Sequence, residues 1–401
     1  DGDVIGKLTV NNVTVGVSAL NDSLYAAKVV SNNNKKTTTY ATAVEDASVS
    51  IDLSASSFGD VVFDGTNATD VNVAIGAGDS VTLSDGEDVI TVNGLTKNTK
   101  DGVKVSKFDL DADKLVLSNV KLADMGVTSL GDDMLGITFG SKKSTVSVGA
   151  DFGGAKDVAI NINGTDVKAA TTVGATLTLD ADSKDAFFIG KDNTTLEVSD
   201  DIENTVIDLS DTNKYNNIHA VSVTEDATGI SIIGTGNKKV EDSIDASANV
   251  NGVQVSLGAG NADSVTLSAG ADVVWFDAKQ GKGNVITNFT YGTGENADVL
   301  NLSDVSSLDK VKFTTGTTLT VKDGSASANI AFVTTAPEEG ASEIVKVQLS
   351  DGKIYNVAMD VNADKSVTLN LDDEIKVDSY VGKDVAVVLK SDDEVAYTYA
   401  K

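Results

Sequence analysis

Four aspartates are the strongest candidates for chemistry in this chain. Asp79 and Asp88 stand nine residues apart, Asp263 and Asp272 repeat that spacing, and each follows a glycine by one to three positions. Two further acidic runs, Asp109-Leu-Asp111-Ala-Asp113 and Asp360-Val-Asn362-Ala-Asp364, alternate like a calcium-binding loop. Lys114 and Lys365 stand where a helix–loop–helix calcium site requires glycine, and Val120 and Leu371 stand where it requires a bidentate glutamate. Both runs therefore read as polar turns. The one histidine, His219, lies in Ile218-His-Ala-Val221 and reads as a half-buried strand residue, since a lone imidazole builds neither a zinc site nor a Ser-His-Asp triad. Ser307-Leu-Asp-Lys310 matches Ser-x-x-Lys without the other elements of that catalytic set. Among 60 acids, carboxylate pairs arise by number alone, so they do not point to glycoside hydrolysis.

The elements that must position these residues are strands. Lys7-Leu-Thr-Val-Asn-Asn-Val-Thr-Val-Gly-Val17, Ser144–Val148, Ala175–Leu179 and Ser366–Leu371 alternate apolar and polar residues, the period of a strand with one buried face. Asn93-Gly94, Asn163-Gly164, Asp323-Gly324 and Asp351-Gly352 punctuate them as hairpin turns. Only short pieces near Lys121–Met125 and Ser306–Lys310 fit a helical turn, so the expected fold is all-β.

Residues 76–90, Gly-Ala-Gly-Asp-Ser-Val-Thr-Leu-Ser-Asp-Gly-Glu-Asp-Val-Ile, recur at 258–274 as Gly-Ala-Gly-Asn-Ala-Asp-Ser-Val-Thr-Leu-Ser-Ala-Gly-Ala-Asp-Val-Val. The match continues from Phe108–Ser118 to Phe289–Ser303, and Ile-Asp-Leu-Ser stands at both 51–54 and 207–210. The chain is thus internally duplicated, and duplicated modules that carry no reactive set build surfaces, scaffolds or assemblies. The expected organisation is an N-terminal strand segment (1–44) followed by two β-solenoid-like or β-sandwich-like units (45–199 and 200–401). The second is longer, with Ile218–Val223 and Ile230–Ile233 as two further strands. The strand Leu8–Val17 either completes a sheet in its own chain or is donated to the edge of a neighbouring subunit.

Gly86-Glu-Asp88-Val-Ile90 and Gly270-Ala-Asp272-Val-Val274 resemble half of the nonapeptide of the repeats-in-toxin family, and Asn284-Val-Ile-Thr-Asn-Phe289 with Asp298–Asp304 resembles the segment that closes its rolls. That resemblance implies a parallel β-roll. It also implies calcium bound between turns, with Asp79, Asp88, Asp263 and Asp272 as the ligands. Leu83-Ser84 and Leu267-Ser268 depart from the family by replacing its leading glycine pair.

Composition narrows the partners. The net charge is −29 and all 31 bases are lysine, which excludes the arginine forks that grip phosphate and guanine, so neither nucleic acid nor an anionic membrane is expected as a partner. No apolar run reaches the length of a membrane span, so no membrane insertion is expected. Cysteine is absent, which removes disulfides and thiolate metal sites. A chain opening at Asp1 reads as a processed, exported product. Poverty in Cys, His, Met and Arg with abundant Thr, Val, Asn and Asp resembles bacterial surface-layer proteins and extracellular filament subunits. The expectation is a secreted, non-enzymatic cell-surface protein that polymerises through strand edges. The other reading is an adhesin holding glycan or host protein, for which Trp275-Phe276, Tyr215, Tyr291 and Tyr355 are the aromatic candidates, with Trp275-Phe276 read first as core.

Overall fold

The computed structural model describes residues 47–54, 61–93, 102–131, 133–139, 144–152, 155–258, 262–276, 278–302, 304–307, 310–315, 318–323, 326–333 and 344–358. It also describes the strands at 9–10, 13–14, 25–32, 35–42, 366–370, 386–391 and 394–399. The fold is all-β, and no helix among the described residues is long and apolar enough to cross a membrane. Two compact units are formed. The first comprises residues 1–177, 185–194 and 212–217, and the second comprises 178–184, 195–211 and 218–401. The handover is therefore interleaved rather than a single cut near residue 199.

In the first unit, β1 (Thr9–Val10) pairs antiparallel with β2 (Val13–Thr14), so the stretch expected as one strand from Leu8 to Val17 reverses direction. The next strands are β3 (Tyr25–Asn32), β4 (Lys35–Thr42), β5 (Ala47–Asp52), β6 (Val61–Asp64), β7 (Ala68–Ile75), β8 (Ser80–Thr82), β9 (Val89–Val92), β10 (Val103–Phe108) and β11 (Lys114–Leu117). From β4 to β11 the chain alternates between two sheets, and every neighbouring pair along each sheet is parallel, so each coil gives one strand to each sheet. Such coils bury what alternation turns inward. Val61, Phe63, Val81 and Val105 from one sheet meet Val73, Ile90, Leu115 and Leu117 from the other in one apolar core.

The coil then closes with antiparallel strands. A meander of β12 (Met125–Gly131), β13 (Met134–Phe139) and β14 (Ser144–Ala150) returns β14 parallel to β10, and a hairpin of β15 (Asp157–Ile162) and β16 (Thr165–Ala170) sets β15 parallel to β11. Asn163 and Gly164 carry φ of 56° and 75°, the left-handed pair that a two-residue hairpin turn requires. A single 3₁₀ turn, Leu122–Asp124, occupies the place where a helical turn was expected.

The second unit repeats this plan with one coil more. After β17 (Thr176–Leu179) and β18 (Phe187–Ile189) come β19 (Thr195–Val198), β20 (Val206–Asp208), β21 (Tyr215–Asn216), β22 (Ala220–Val223), β23 (Ile230–Ile233), β24 (Ser243–Asp245), β25 (Val253–Ser256), β26 (Ser264–Thr266), β27 (Val273–Trp275), β28 (Asn284–Thr287) and β29 (Val299–Leu302). Strands β18 and β21 belong to the first unit, where they extend the sheet beyond β16. Strand β17 precedes five parallel coils, β19–β20 to β28–β29, against four in the first unit, and β22 and β23 are the two additional strands expected from sequence. A meander of β30 (Val311–Thr315), β31 (Thr318–Asp323) and β32 (Ala326–Val333) and a hairpin of β33 (Ile344–Leu349) and β34 (Ile354–Ala358) close it as before. A three-stranded sheet follows, made of β35 (Ser366–Asn370), β36 (Ala386–Ser391) and β37 (Glu394–Tyr399).

Candidate functional site: ladders of buried aspartate

Stacking coils in parallel creates a problem where the ladder between successive coils begins. The N–H there precedes the regular ladder and is buried under the next coil, where an unpaired donor costs about 1–3 kcal/mol. Aspartate solves it. Asp88 precedes β9, its Oδ1 accepts the N–H of Val71 on the preceding coil at 2.5 Å, and its Oδ2 accepts the N–H of Ser84 in its own turn at 2.8 Å. Asp272, before β27, does the same with Val253 at 2.6 Å and Ser268 at 2.9 Å. The serine hydroxyls complete the cradle, with Oγ of Ser84 2.7 Å from Asp88 Oδ1 and Oγ of Ser268 2.8 Å from Asp272 Oδ1. Each hydroxyl also accepts the N–H of the glycine two residues on, Gly86 or Gly270. A Cβ at Gly86 would lie 1.8 Å from the Thr69 carbonyl oxygen, and one at Gly270 2.4 Å from the Gly252 nitrogen, so only glycine lets the coils approach this closely.

The ladder continues through residues outside the four candidates. Asp113 accepts the N–H of Asp88 and of Asp109, both at 2.8 Å. Asp298 accepts the N–H of Asp272 at 2.8 Å and of Thr290 at 2.7 Å. On the facing sheet, Asp79 accepts from Val61 at 2.7 Å and Gly76 at 2.6 Å, Asp263 accepts from Asp242 at 2.9 Å, and Asn284 accepts from Asp263 at 3.0 Å. Asp242 takes the N–H of Thr235 at 2.6 Å. Asp242 Oδ1 and Asp263 Oδ2 are buried without a hydrogen-bond partner.

Burial disfavours the charged form of these groups. It pushes Asp298 up to about 7 and Asp113 and Asp242 up to about 6, and it raises Asp88, Asp263 and Asp272 above the usual carboxylate range, against the opposing pull of the N–H donors. The effect of the cradle itself is measurable. Ser268→Ala removes one hydroxyl donor and one acceptor and will lower stability by about 1–2 kcal/mol, read as a lower urea midpoint.

The four sequence candidates are therefore two corners of each unit rather than one cluster. Calcium requires six to eight oxygens converging on one point, whereas the oxygens of Asp79, Asp88 and Asp272 face N–H donors that repel a cation. No group of three or more acidic or histidine side chains suited to a metal occurs among the described residues. Asp79, Asp88 and Asp272 as placed serve backbone N–H groups rather than the oxygen cage that the resemblance implies. The acidic run at 109–113 contributes Asp113 to the ladder, while the run at 360–364 lies outside the described residues.

The remaining candidates separate. His219 is half-buried just before β22, and its carbonyl accepts the N–H of Ser243. Phe276 is core, but Trp275 points outward from β27 and is 38% exposed, contrary to its reading as core, because alternation places neighbours on opposite faces. Tyr215 is buried and stacks on Phe188 with centroids 5.8 Å apart, Tyr291 lies 5.2 Å from Phe289, and the Tyr355 hydroxyl donates to Asp351 at 2.6 Å. No model of a known protein family matches this chain, and no curated protein does.

Proposed function

We propose that the chain is a non-enzymatic, secreted structural protein that self-assembles into a filament or surface layer on a bacterial cell. One observation carries the reading: the most buried acids are bonded to backbone N–H groups, so they hold coils together instead of waiting for a substrate. Rigid rolls with open sheet edges join by strand addition and loop contacts, and contacts between unlike patches propagate into polymers. The kinship with repeats-in-toxin rolls and with surface-layer proteins is part of the same proposal. A charge of −29 opposes association, so calcium acts here as a counter-ion spread over the exposed carboxylates.

Negative-stain electron microscopy with light scattering, in calcium and in excess chelator, tests it. Regular fibres or sheets are expected, loosening in chelator. Monodisperse monomers in both conditions would overturn the polymer.

The second reading, a glycan-holding adhesin, is favoured by one feature. Trp275, 38% exposed, lies on an outer face in register with Ser256 and with Asn301, which is itself buried and donates to Gln348 at 2.8 Å. Trp275 is the single tryptophan, so its fluorescence under titration with a neutral oligosaccharide reports binding directly. A saturable shift would move this reading to first place.

A further inference from the structure

In the second unit, strands β20, β23, β25, β27, β29, β33 and β34 form one sheet, and pairing in register sorts its outward side chains into two rows. Over the four central strands, β23, β25, β27 and β29, the first row is Ser231, Gln254, Val273 and Val299. The second is Ile233, Ser256, Trp275 and the buried Asn301. None of these side chains is charged, in a chain with 60 acids, 31 lysines and a net charge of −29.

The other coil sheets differ at the same level. Asp64 and Lys104 face outward from β6 and β10, Lys114 from β11 and Asp245 from β24, each alternating with a buried aliphatic or aromatic side chain. On the neutral sheet, charge returns only towards the flanks. Asp208 stands on β20, in register with Ile233, and Lys346 stands on β33, where the Gly294 and Ala297 carbonyls hold its ammonium. Val206, Trp275 and Ile354 leave apolar surface exposed along the same face.

Charge decides what can cover it. Two copies of this chain repel over acidic surface, and pressing carboxylates into a contact adds the cost of taking them out of water. A neutral face meets its own copy without either cost. Aliphatic groups and the Trp275 ring then leave water together, while the amide of Gln254 and the hydroxyls of Ser231 and Ser256 both donate and accept. Sheets stack face to face about 10 Å apart, and a two-fold axis brings one such face against itself.

We propose that this neutral outer face is a contact surface between copies of the chain, stacked sheet on sheet with Trp275 in the seam. The proposal rests on the self-assembly reading and adds to it a contact between faces. Seven strands at a spacing of about 4.8 Å make a strip about 29 Å wide. With a height of about 10 Å, it buries on the order of 600 Å² across two copies, below the roughly 1,200–2,000 Å² of a stable interface. The contact is therefore weak alone and gains its strength from repetition in a polymer.

Sedimentation velocity of the full chain, read together with Trp275 emission from micromolar to millimolar concentration, tests the contact. Association is expected, with emission shifting to the blue as the ring leaves water. Gln254→Glu with Ser256→Glu sets like charges against each other across the seam and will raise the concentration for half-association by at least about tenfold. Ser222→Glu with Thr266→Glu puts the same charge on the outward side of the facing sheet and will change it by less than about twofold. Circular dichroism confirms that both pairs fold, and Trp275 emission in the unaltered chain decides the matter if the first pair does not. Association with Trp275 emission unmoved, or equal effects of the two pairs, would overturn the face and leave the polymer standing. Monomers at every concentration would overturn both. A blue shift that requires a neutral oligosaccharide, and not a second copy, would overturn the proposal by giving the face to a glycan.

Discussion

Replacing Asp272 with alanine will destabilise the second unit by about 4 kcal/mol, because it strands the buried N–H groups of Val253 and Ser268 together and removes the partner of the Ser268 hydroxyl. Urea denaturation followed by circular dichroism will show the midpoint falling with little change in slope, the sign of lost native-state stability. Asp88→Ala will do the same in the first unit, where Val71 and Ser84 lose the equivalent bonds. Asp208→Ala is the comparison. Asp208 accepts the N–H and hydroxyl of Ser210 at an exposed turn, so its loss is replaced by water and costs under about 1 kcal/mol. Equal losses at Asp272 and Asp208 would show that the ladder has no special role.

Stability will fall as pH rises from about 5 to 7.5, the reverse of the usual behaviour of acidic side chains. Asp298, Asp113 and Asp242 are raised to about 7, 6 and 6 from the ordinary aspartate value of 3.8. Between those limits the folded chain holds protons that the unfolded chain has released, so their contribution is complete below about pH 4 and is lost as pH climbs through 6 and 7. Each unit of pH is worth at most about 1.4 kcal/mol per such group. Allowing for solvent screening, the second unit, with Asp298 and Asp242, will lose on the order of 2 kcal/mol, a fall in Tm of about 5 °C. Relief of self-repulsion in a chain of net charge −29 acts in the same direction, so a variant must separate the two. Asp298→Asn keeps the acceptor for Asp272 and cannot ionise. Asn284 already works this way, accepting from Asp263 and donating to the Gly281 carbonyl at 3.1 Å. The variant's Tm will be flatter across this range, and an unchanged slope would remove Asp298 from the explanation.

The all-β class was legible because period-two alternation survives in nearly every buried strand, with Val73, Ile75, Ile90 and Val92 inward and their neighbours outward. The extra coil was legible for the same reason. The turns of the closing hairpins were legible in Asn163-Gly164 and Asp351-Gly352, but alternation cannot say which strand is the neighbour, and so the way the meanders and hairpins return in parallel to close each unit was not foreseen. The aspartates were found through their repeat, but the chemistry read into them came from glycine spacing. The informative pattern lay one step further on: Asp88-Val-Ile90, Asp113-Lys-Leu115, Asp242-Ser-Ile244, Asp272-Val-Val274 and Asp298-Val-Leu300 each place an acid two residues before a fully inward aliphatic. An acid fixed at that distance from the core marks the start of a coil. Trp275 was misplaced because hydrophobicity was weighed above alternation, and at a strand's end the backbone decides which way a ring points.

The difference of one coil between the units has a consequence for how such chains change in length. Every coil offers the same hydrogen-bonding face above and below, and each ladder aspartate asks only for an N–H at the matching place on its neighbour. A coil can therefore be inserted or deleted without altering the contacts of those that remain. The length of each unit is set in steps of one strand spacing, about 4.8 Å. Units of related chains should differ in length by whole multiples of that step, with the spacing between closing segments as their tally.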